Sequence, residues 1–363
     1  MSDPADFYLK PAGLLMGTAA ANACAAGAGA RLAGGPVAFN AVEVIRRSGV
    51  TRDIAVSGLG TLRSCRLRDD VDLSTAIDER LRAITASRAP FAGLTLERPR
   101  LMGVVNVTPD SFSDGGRYAS RDAAVAHGRA LMAAGADILD IGGKSTRPGA
   151  APVSIGEELD RVVPVIEALT KDGALVSIDS RRGAVMRAAL VAGARIVNDV
   201  TALAGDPESL SIVAGSDAAV VLMHMQGEPR TMQQDPAYRD APLDIYDFFA
   251  ARLTACAAAG IERARIALDP GIGFGKRDPH NLAILADLAL YHGLGCPLLL
   301  GASRKALGSE PEGRLPPKER LPTSLAAALH ALNQGVQLLR VHDVAETRRV
   351  VELWMHLTTG QFS

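Results

Sequence analysis

Residues 101–116 read LMGVVNVTPDSFSDGG, an apolar run from Leu101 to Val105 that stops at Asn106 and opens into hydroxyls, carboxylates and glycines. A buried strand ending in this way delivers polar groups to the mouth of a scaffold, where loops carry function. The pattern recurs down the chain. The run 138–141 opens into Gly142-Gly143-Lys144-Ser145-Thr146-Arg147-Pro148-Gly149, and 175–178 into Asp179-Ser180. The run 218–223 reaches His224, 266–268 reaches Asp269-Pro270-Gly271-Ile272-Gly273-Phe274-Gly275-Lys276, 298–300 reaches Gly301-Ala302-Ser303-Arg304-Lys305, and 338–341 reaches His342-Asp343. Polar residues at the carboxyl ends of many strands mark the active-site face of an α/β scaffold.

Counted from Leu101, short apolar runs recur eight times, near 101, 137, 174, 195, 218, 265, 296 and 336. Helical spacing fills the gaps at 120–134, 155–171, 182–192, 243–259, 281–292, 323–333 and 345–357, with a weaker candidate at 207–214. Eightfold alternation with near-continuous apolar strands predicts a parallel sheet covered by helices. Residues 99–363 come close to the roughly 250 that a (β/α)8 TIM barrel takes. Periodicity alone leaves a doubly wound open sheet as the alternative. Gly135, Gly193, Gly260, Gly293 and Gly335 are placed to close helices just before strands.

Residues 1–98 read differently, as an N-terminal extension to the barrel domain of 99–363. They hold a loose Ala/Gly stretch, 12–35, and amphipathic pieces at 38–47 and 75–88, with no chemical motif. Packing on the outside or the bottom of the barrel is the expectation. The Ala/Gly stretch makes a poor secretory signal, because its leader has two aspartates against one lysine and Asn22, Gly27 and Gly29 dilute the apolar part. No run approaches the roughly 18 to 20 apolar residues of a spanning helix, so no membrane is expected. With 39 Lys and Arg against 40 Asp and Glu, the net charge of −1 gives no argument for nucleic acid. Cys24, Cys65, Cys256 and Cys296 lack metal or disulfide spacing, which fits a reducing cytoplasm.

Seven segments in order, MGVVNVTPDSFSDGG, DIGGKSTRPGA, VSIDS, NDV, DPGIGFGK, GASRK and LRVHDVAET, resemble the successive signatures of dihydropteroate synthase. They span 101 to about 350, and the first 98 residues lie outside the resemblance. It implies the condensation of 7,8-dihydropterin-6-ylmethyl diphosphate with 4-aminobenzoate to give 7,8-dihydropteroate and pyrophosphate, both substrates being small molecules. It also implies Mg²⁺ as cofactor and a homodimer. A flat pterin has a dense donor and acceptor edge, and its pocket must match both kinds. By similarity Asp179, Asn198 and Asp269 line that edge, Lys305 reaches the ring, and Met223 and Phe274 pack nearby. Departing diphosphate builds negative charge that cations and donors must meet. Arg340 and His342, two apart on one strand end, suit that task, as does the planar fork of Arg147. Asn106 resembles the family's Mg²⁺ contact, and Mg²⁺ takes few protein oxygens beside phosphate and water.

The resemblance further implies that Asp179 stabilises a cationic methylene as diphosphate leaves, and that Phe112, Thr146, Arg147, Pro148 and Ser303 surround the attacking amine. Loop closure would keep water from trapping the cation. Two positions depart from the family pattern: Lys144 stands where Glu is usual, and Ala306 where Ser is common. They leave open a pterin-binding paralogue without synthase activity, and a pterin-dependent methyltransferase on the same barrel is the other alternative. The Gly271–Lys276 segment fails both the Walker and the dinucleotide patterns, at Pro270 with Arg277 and at Lys276 respectively.

Overall fold

The computed structural model describes residues 7–49, 51–64, 71–107, 117–144, 153–228, 231–308 and 315–360. The chain opens with an antiparallel sheet: β1 (Phe7–Leu15), β2 (Ala30–Arg31), β3 (Ala38–Ser48) and β4 (Thr51–Gly58), with β3 central. Helices α1 (Gly17–Ala25), α2 (Leu59–Ser64) and α3 (Val71–Thr85) accompany it. The Ala/Gly stretch is therefore not loose. It forms the end of β1, then α1 and β2, and is ordered by pairing of Leu14 with Phe39 and by burial of Ala20.

From Arg100 onward strand and helix alternate. The strands are β5 (Arg100–Asn106), β6 (Ile138–Gly142), β7 (Val176–Asp179), β8 (Ile196–Asp199), β9 (Ala219–Met223), β10 (Ile266–Asp269), β11 (Leu299–Leu300) and β12 (Leu338–Val341). The helices are α4 (Arg117–Ala133), α5 (Ile155–Lys171), α6 (Gly183–Val191), α7 (Ser209–Ala214), α8 (Ala241–Ala258), α9 (Asp278–Ala286), α10 (Leu321–Asn333) and α11 (Val344–Thr359). All eight strands are parallel, in the order β10-β9-β8-β7-β6-β5-β12-β11, and a parallel bridge between Leu268 and Leu298 brings the ends together. This is the (β/α)8 barrel.

Local chemistry sets the element ends. The Ser154 hydroxyl accepts from the Glu157 amide while the Glu157 carboxylate accepts from the Ser154 amide, a capping box that starts α5 where its periodicity begins. The Asp240 side chain accepts from the Leu243 amide to start α8. The helix expected at 281–292 is split. Helix α9 stops at Ala286, and a tight helical segment, Leu288–Leu294, follows. Asp287 at the break is drawn into ion pairs with Lys10 and Arg52 of the N-terminal sheet. Gly293 lies inside that segment, and Gly295, at φ 74, is the residue that closes it.

Period-two alternation gives each barrel strand two tasks. Outward residues such as Leu139, Ile141, Val197, Leu222 and Leu339 pack under the helices. Inward residues Met102, Ile138, Ile196, Val221, Ala267 and Leu338 meet Phe91, which is fully buried among them. One inward step further along lie Asp140, Asn198, Met223, Asp269 and Arg340. The barrel is thus packed with hydrocarbon below and polar above. The N-terminal sheet lies against α8 and the Leu288–Leu294 segment. Tyr8 donates to Asp247, Arg47 pairs with Asp244 and Asp247, and Arg52 grips Asp240 and Asp287.

Candidate active site

Strand register brings the polar ends together. Asn106 pairs with Gly142, Gly142 with Asp179, and Asp179 with Asn198, forming one rung across β5 to β8. A side chain at Gly142 would touch both the Asn106 Oδ1 and the Asp179 Oδ2, each 3.7 Å from its Cβ position. Arg340 reaches across from β12, donating through Nε to Asp140 Oδ2 at 2.7 Å and through its NH2 nitrogen to Asp179 Oδ2 at 2.7 Å. Asn198 Nδ2 donates to the same Asp140 oxygen at 3.0 Å. One guanidinium therefore answers two carboxylates.

Those carboxylates sit in a poor environment for charge. Burial pushes Asp179 up to about 7, with Arg340 opposing and the nearby charges of Asp140, Glu158 and Asp199 adding to the rise. Burial likewise lifts Asp269 to about 6, although its Oδ1 accepts from the Gly271 amide at 2.8 Å and Arg340, Lys276 and Lys305 favour its ionised form. Perturbed carboxyls converging in one concavity are a mark of a working site.

Lys305 stands over the face of Phe274, its Nζ 4.1 Å from the ring centroid, a cation–π contact beside a flat pocket. Ser303 is held by His342: its hydroxyl accepts from the His342 amide at 3.2 Å and lies 3.1 Å from Nδ1. The hydroxyl, accepting from the main-chain N–H, keeps its own proton available for Nδ1, an arrangement that would place the imidazole proton on Nε2. Burial, with the charges of Arg340 and Arg304, lowers His342 to about 3. That lowering favours the neutral ring at pH 7, in which His342 can serve as an N–H donor. Arg304, at φ 58, is turned aside and pairs with Asp343 at 2.6 Å.

The loops after β9 and β10 are tied together by Lys276, which is buried and donates to the carbonyls of His224, Gly271 and Phe274 at 2.9–3.0 Å. Its Nζ is also 3.0 Å from His224 Nδ1. Burial lowers both groups, Lys276 to about 7 and His224 to about 2. Gly271 and Gly275 in this loop let two stretches of backbone approach closely. At Gly271, φ 69, an added Cβ would come within 2.1 Å of the His224 carbonyl oxygen.

Of the residues singled out in the sequence, Asn106, Asp179, Asn198, Met223, Asp269, Phe274, Ser303, Lys305, Arg340 and His342 all lie at or just beyond the carboxyl ends of barrel strands. Phe112, Thr146, Arg147 and Pro148 lie outside the described residues. Lys144 lies two residues beyond β6 and is partly buried; burial and the charges of Arg181 and Arg182 lower its pKa, with Glu158 and Glu228 opposing. Three groups escaped the sequence reading. Asp140 was hidden inside an apolar run. Glu158, buried and bonded to Ser180 Oγ at 2.6 Å and to Arg182 at 2.8 Å, comes from a helix. Lys276 resembled a loop lysine. A charge placed at an inward strand position was the one usable signal, and it applied only to Asp140.

A deep polar end on a parallel barrel, floored by carboxylates and an amide and walled by Phe274, Met223 and Lys305, fits a flat heterocycle with an alternating donor and acceptor edge. Residues 102–342 match the family described as pterin binding enzyme, and the chain belongs to that family. Its relatives place it among the dihydropteroate synthases. The dihydropteroate synthase of Escherichia coli K12 is 46% identical over 268 residues, 73% of this chain and 94% of that one. The structure of Xanthomonas albilineans dihydropteroate synthase with 4-aminobenzoic acid superposes with a TM-score of 0.69 at 48% identity, covering 74% of this chain and 97% of that one. The same enzyme in complex with 7,8-dihydropteroate gives a TM-score of 0.67 at 46% identity, again over 74% and 97%.

Proposed function

We propose that this chain condenses 7,8-dihydropterin-6-ylmethyl diphosphate with 4-aminobenzoate, releasing pyrophosphate and forming 7,8-dihydropteroate. The observation that carries the reading is the convergence of Asp179, Asn198, Asp269, Lys305 and Arg340 on one strand-end pocket of a chain 46% identical to a dihydropteroate synthase. A methyltransferase gives no reason for the GASRK and LRVHDVAET ends, where Lys305, Arg340 and His342 suit a diphosphate.

Asn198 and Asp269 match the pterin edge, and Phe274 with Met223 packs its face. As the bond from the exocyclic methylene to the diphosphate oxygen breaks, positive charge develops on that carbon, and the ionised Asp179 carboxylate stabilises it. His342 offers its Nε2 proton to the departing oxygens. Ser303 orients His342 for this. The neutral arylamine then attacks the methylene through nitrogen, forms the new C–N bond and loses a proton to solvent. By the family resemblance, Phe112, Thr146, Arg147 and Pro148 would enclose the amine.

The residues fit Mg²⁺. Asn106 Oδ1 and Asp179 Oδ2 flank the bare Cα of Gly142, and a neutral amide oxygen suits a hard cation that keeps its phosphate and water ligands. Asn106 would hold the ion, which when bound supplies neutralisation of the diphosphate. Leu353 and Leu357, one turn apart on α11 and 60% and 65% exposed, are an exposed apolar pair suited to a second copy of the chain. Light scattering at twice the chain mass is the expected result. Among the described residues no helix is long and apolar enough to cross a membrane, and Cys24, Cys256 and Cys296 are free, which suits a reducing cytoplasm.

The test is pyrophosphate release from the dihydropterin diphosphate with Mg²⁺, with and without 4-aminobenzoate. Amine-dependent release with formation of dihydropteroate is expected. Tight pterin binding without such release would instead identify a non-catalytic paralogue.

A further inference from the structure

We propose that Asp140 is a positioning residue: a single carboxylate oxygen that aims both Arg340 and Asn198 at the pterin pocket. A carboxylate on an inward strand position, fully buried, is expensive unless it is paired and hydrogen-bonded. Asp140 meets that need through one oxygen, Oδ2, which accepts from Arg340 Nε at 2.7 Å and from Asn198 Nδ2 at 3.0 Å. Oδ1 is buried and has no hydrogen-bond partner among the described residues.

Two consequences follow from chemistry. An ionised carboxylate only accepts, so it draws the NH2 of the Asn198 amide and turns the Asn198 oxygen the other way, as an acceptor. Without Asp140 the amide could present either end, and the pocket would lose its power to tell a donor from an acceptor on the ligand edge. The second consequence concerns Arg340. Its Nε is fixed by Asp140 and its NH2 nitrogen by Asp179, so two carboxylates on neighbouring strands hold the guanidinium plane at two points. Asp179 alone would leave the plane free to rotate about one contact. Residues 140, 198 and 340 come from β6, β8 and β12, so nothing local in the chain sets this arrangement.

The inference deepens the synthase reading and rests on it for its kinetic arm. Asp140→Asn keeps the shape and removes the charge. The KM for the dihydropterin diphosphate is expected to rise, and kcat/KM to fall, by about tenfold or more, with the KM for 4-aminobenzoate unmoved. A purely structural role would lower kcat through loss of folded enzyme and leave both KM values alone; that result overturns the proposal. In an Arg340→Met background the same substitution is expected to cost clearly less than in the wild type, because its route through Arg340 is already gone. Full additivity counts against it.

Two readouts need no turnover and separate failure of this inference from failure of the synthase reading. Calorimetry with 7,8-dihydropteroate should show weaker binding to Asp140→Asn. The Arg340 Nε–H resonance, assigned by its loss in Arg340→Lys, should be slow to exchange with water in the wild-type protein and should shift in Asp140→Asn. If Asp140→Asn does not fold, the wild-type resonance decides. Rapid exchange there, as for a solvated arginine, refutes the bond to Asp140.

Discussion

Substituting Asp179 by Asn tests the central electrostatic claim. Burial places the Asp179 carboxyl at about 7, so only about one molecule in eleven carries its charge at pH 6 and about ten in eleven at pH 8. If that charge stabilises the developing cation, kcat/KM at limiting dihydropterin diphosphate should rise about tenfold between those pH values, since this parameter reports the free enzyme. Protonation of Asp269, raised to about 6, steepens the fall below pH 6. The assay is initial pyrophosphate release at saturating 4-aminobenzoate and Mg²⁺ from pH 5 to 9. The substrate's own phosphate ionises in the same range, so Asp179→Asn serves as the control. It should be slow and should lose the enzyme's limb. The stability sign runs with it. A carboxyl whose folded pKa is raised binds its proton more tightly in the native state, so the ligand-free chain should lose stability as pH climbs from about 4 to about 7. Asp179→Asn should flatten that slope. A profile flat between pH 6 and 8, or an identical limb in the variant, would sink the reasoning.

Lys276→Met should lower stability by an amount on the order of 3 kcal/mol, because three buried carbonyls and His224 lose a shared donor; urea unfolding with an unchanged m-value would register it, and an unmoved midpoint would contradict the role. Arg52→Ala releases two carboxylates, Asp240 and Asp287, and should cost on the order of 2 kcal/mol while exposing the N-terminal sheet to limited proteolysis; an unchanged digestion pattern would show that the sheet is held by its apolar contacts alone. Asn106→Ala should raise the Mg²⁺ concentration for half-maximal turnover by about tenfold or more, and chelation should abolish turnover in both proteins. Identical Mg²⁺ titrations would remove Asn106 from the metal's surroundings.

The sequence by itself determined the alternating parallel α/β scaffold and the face on which its chemistry sits, while closure into a barrel shows in the bridge between Leu268 and Leu298. Its signals were local: apolar runs of strand length, helical spacing between them, and polar residues such as Asn106, Asp179 and Asp269 at the points where strands end. Periodicity needs no knowledge of what a strand will meet. What the tertiary structure alone decided is everything that depends on distant groups meeting and on water being excluded. Asp140 sits in an apolar run, and only barrel closure puts it under Arg340, two hundred residues away. His342 stood in the sequence among the cations and donors for diphosphate, with its charge state undecided. Burial beside Arg340 and Arg304 makes it neutral. Helix α9 ends at Ala286, and Asp287 at the break answers Lys10 and Arg52, contacts that no window of local sequence contains. Charge state and partner choice follow from solvation and long-range geometry, whereas strand and helix follow from the spacing of side chains along the chain.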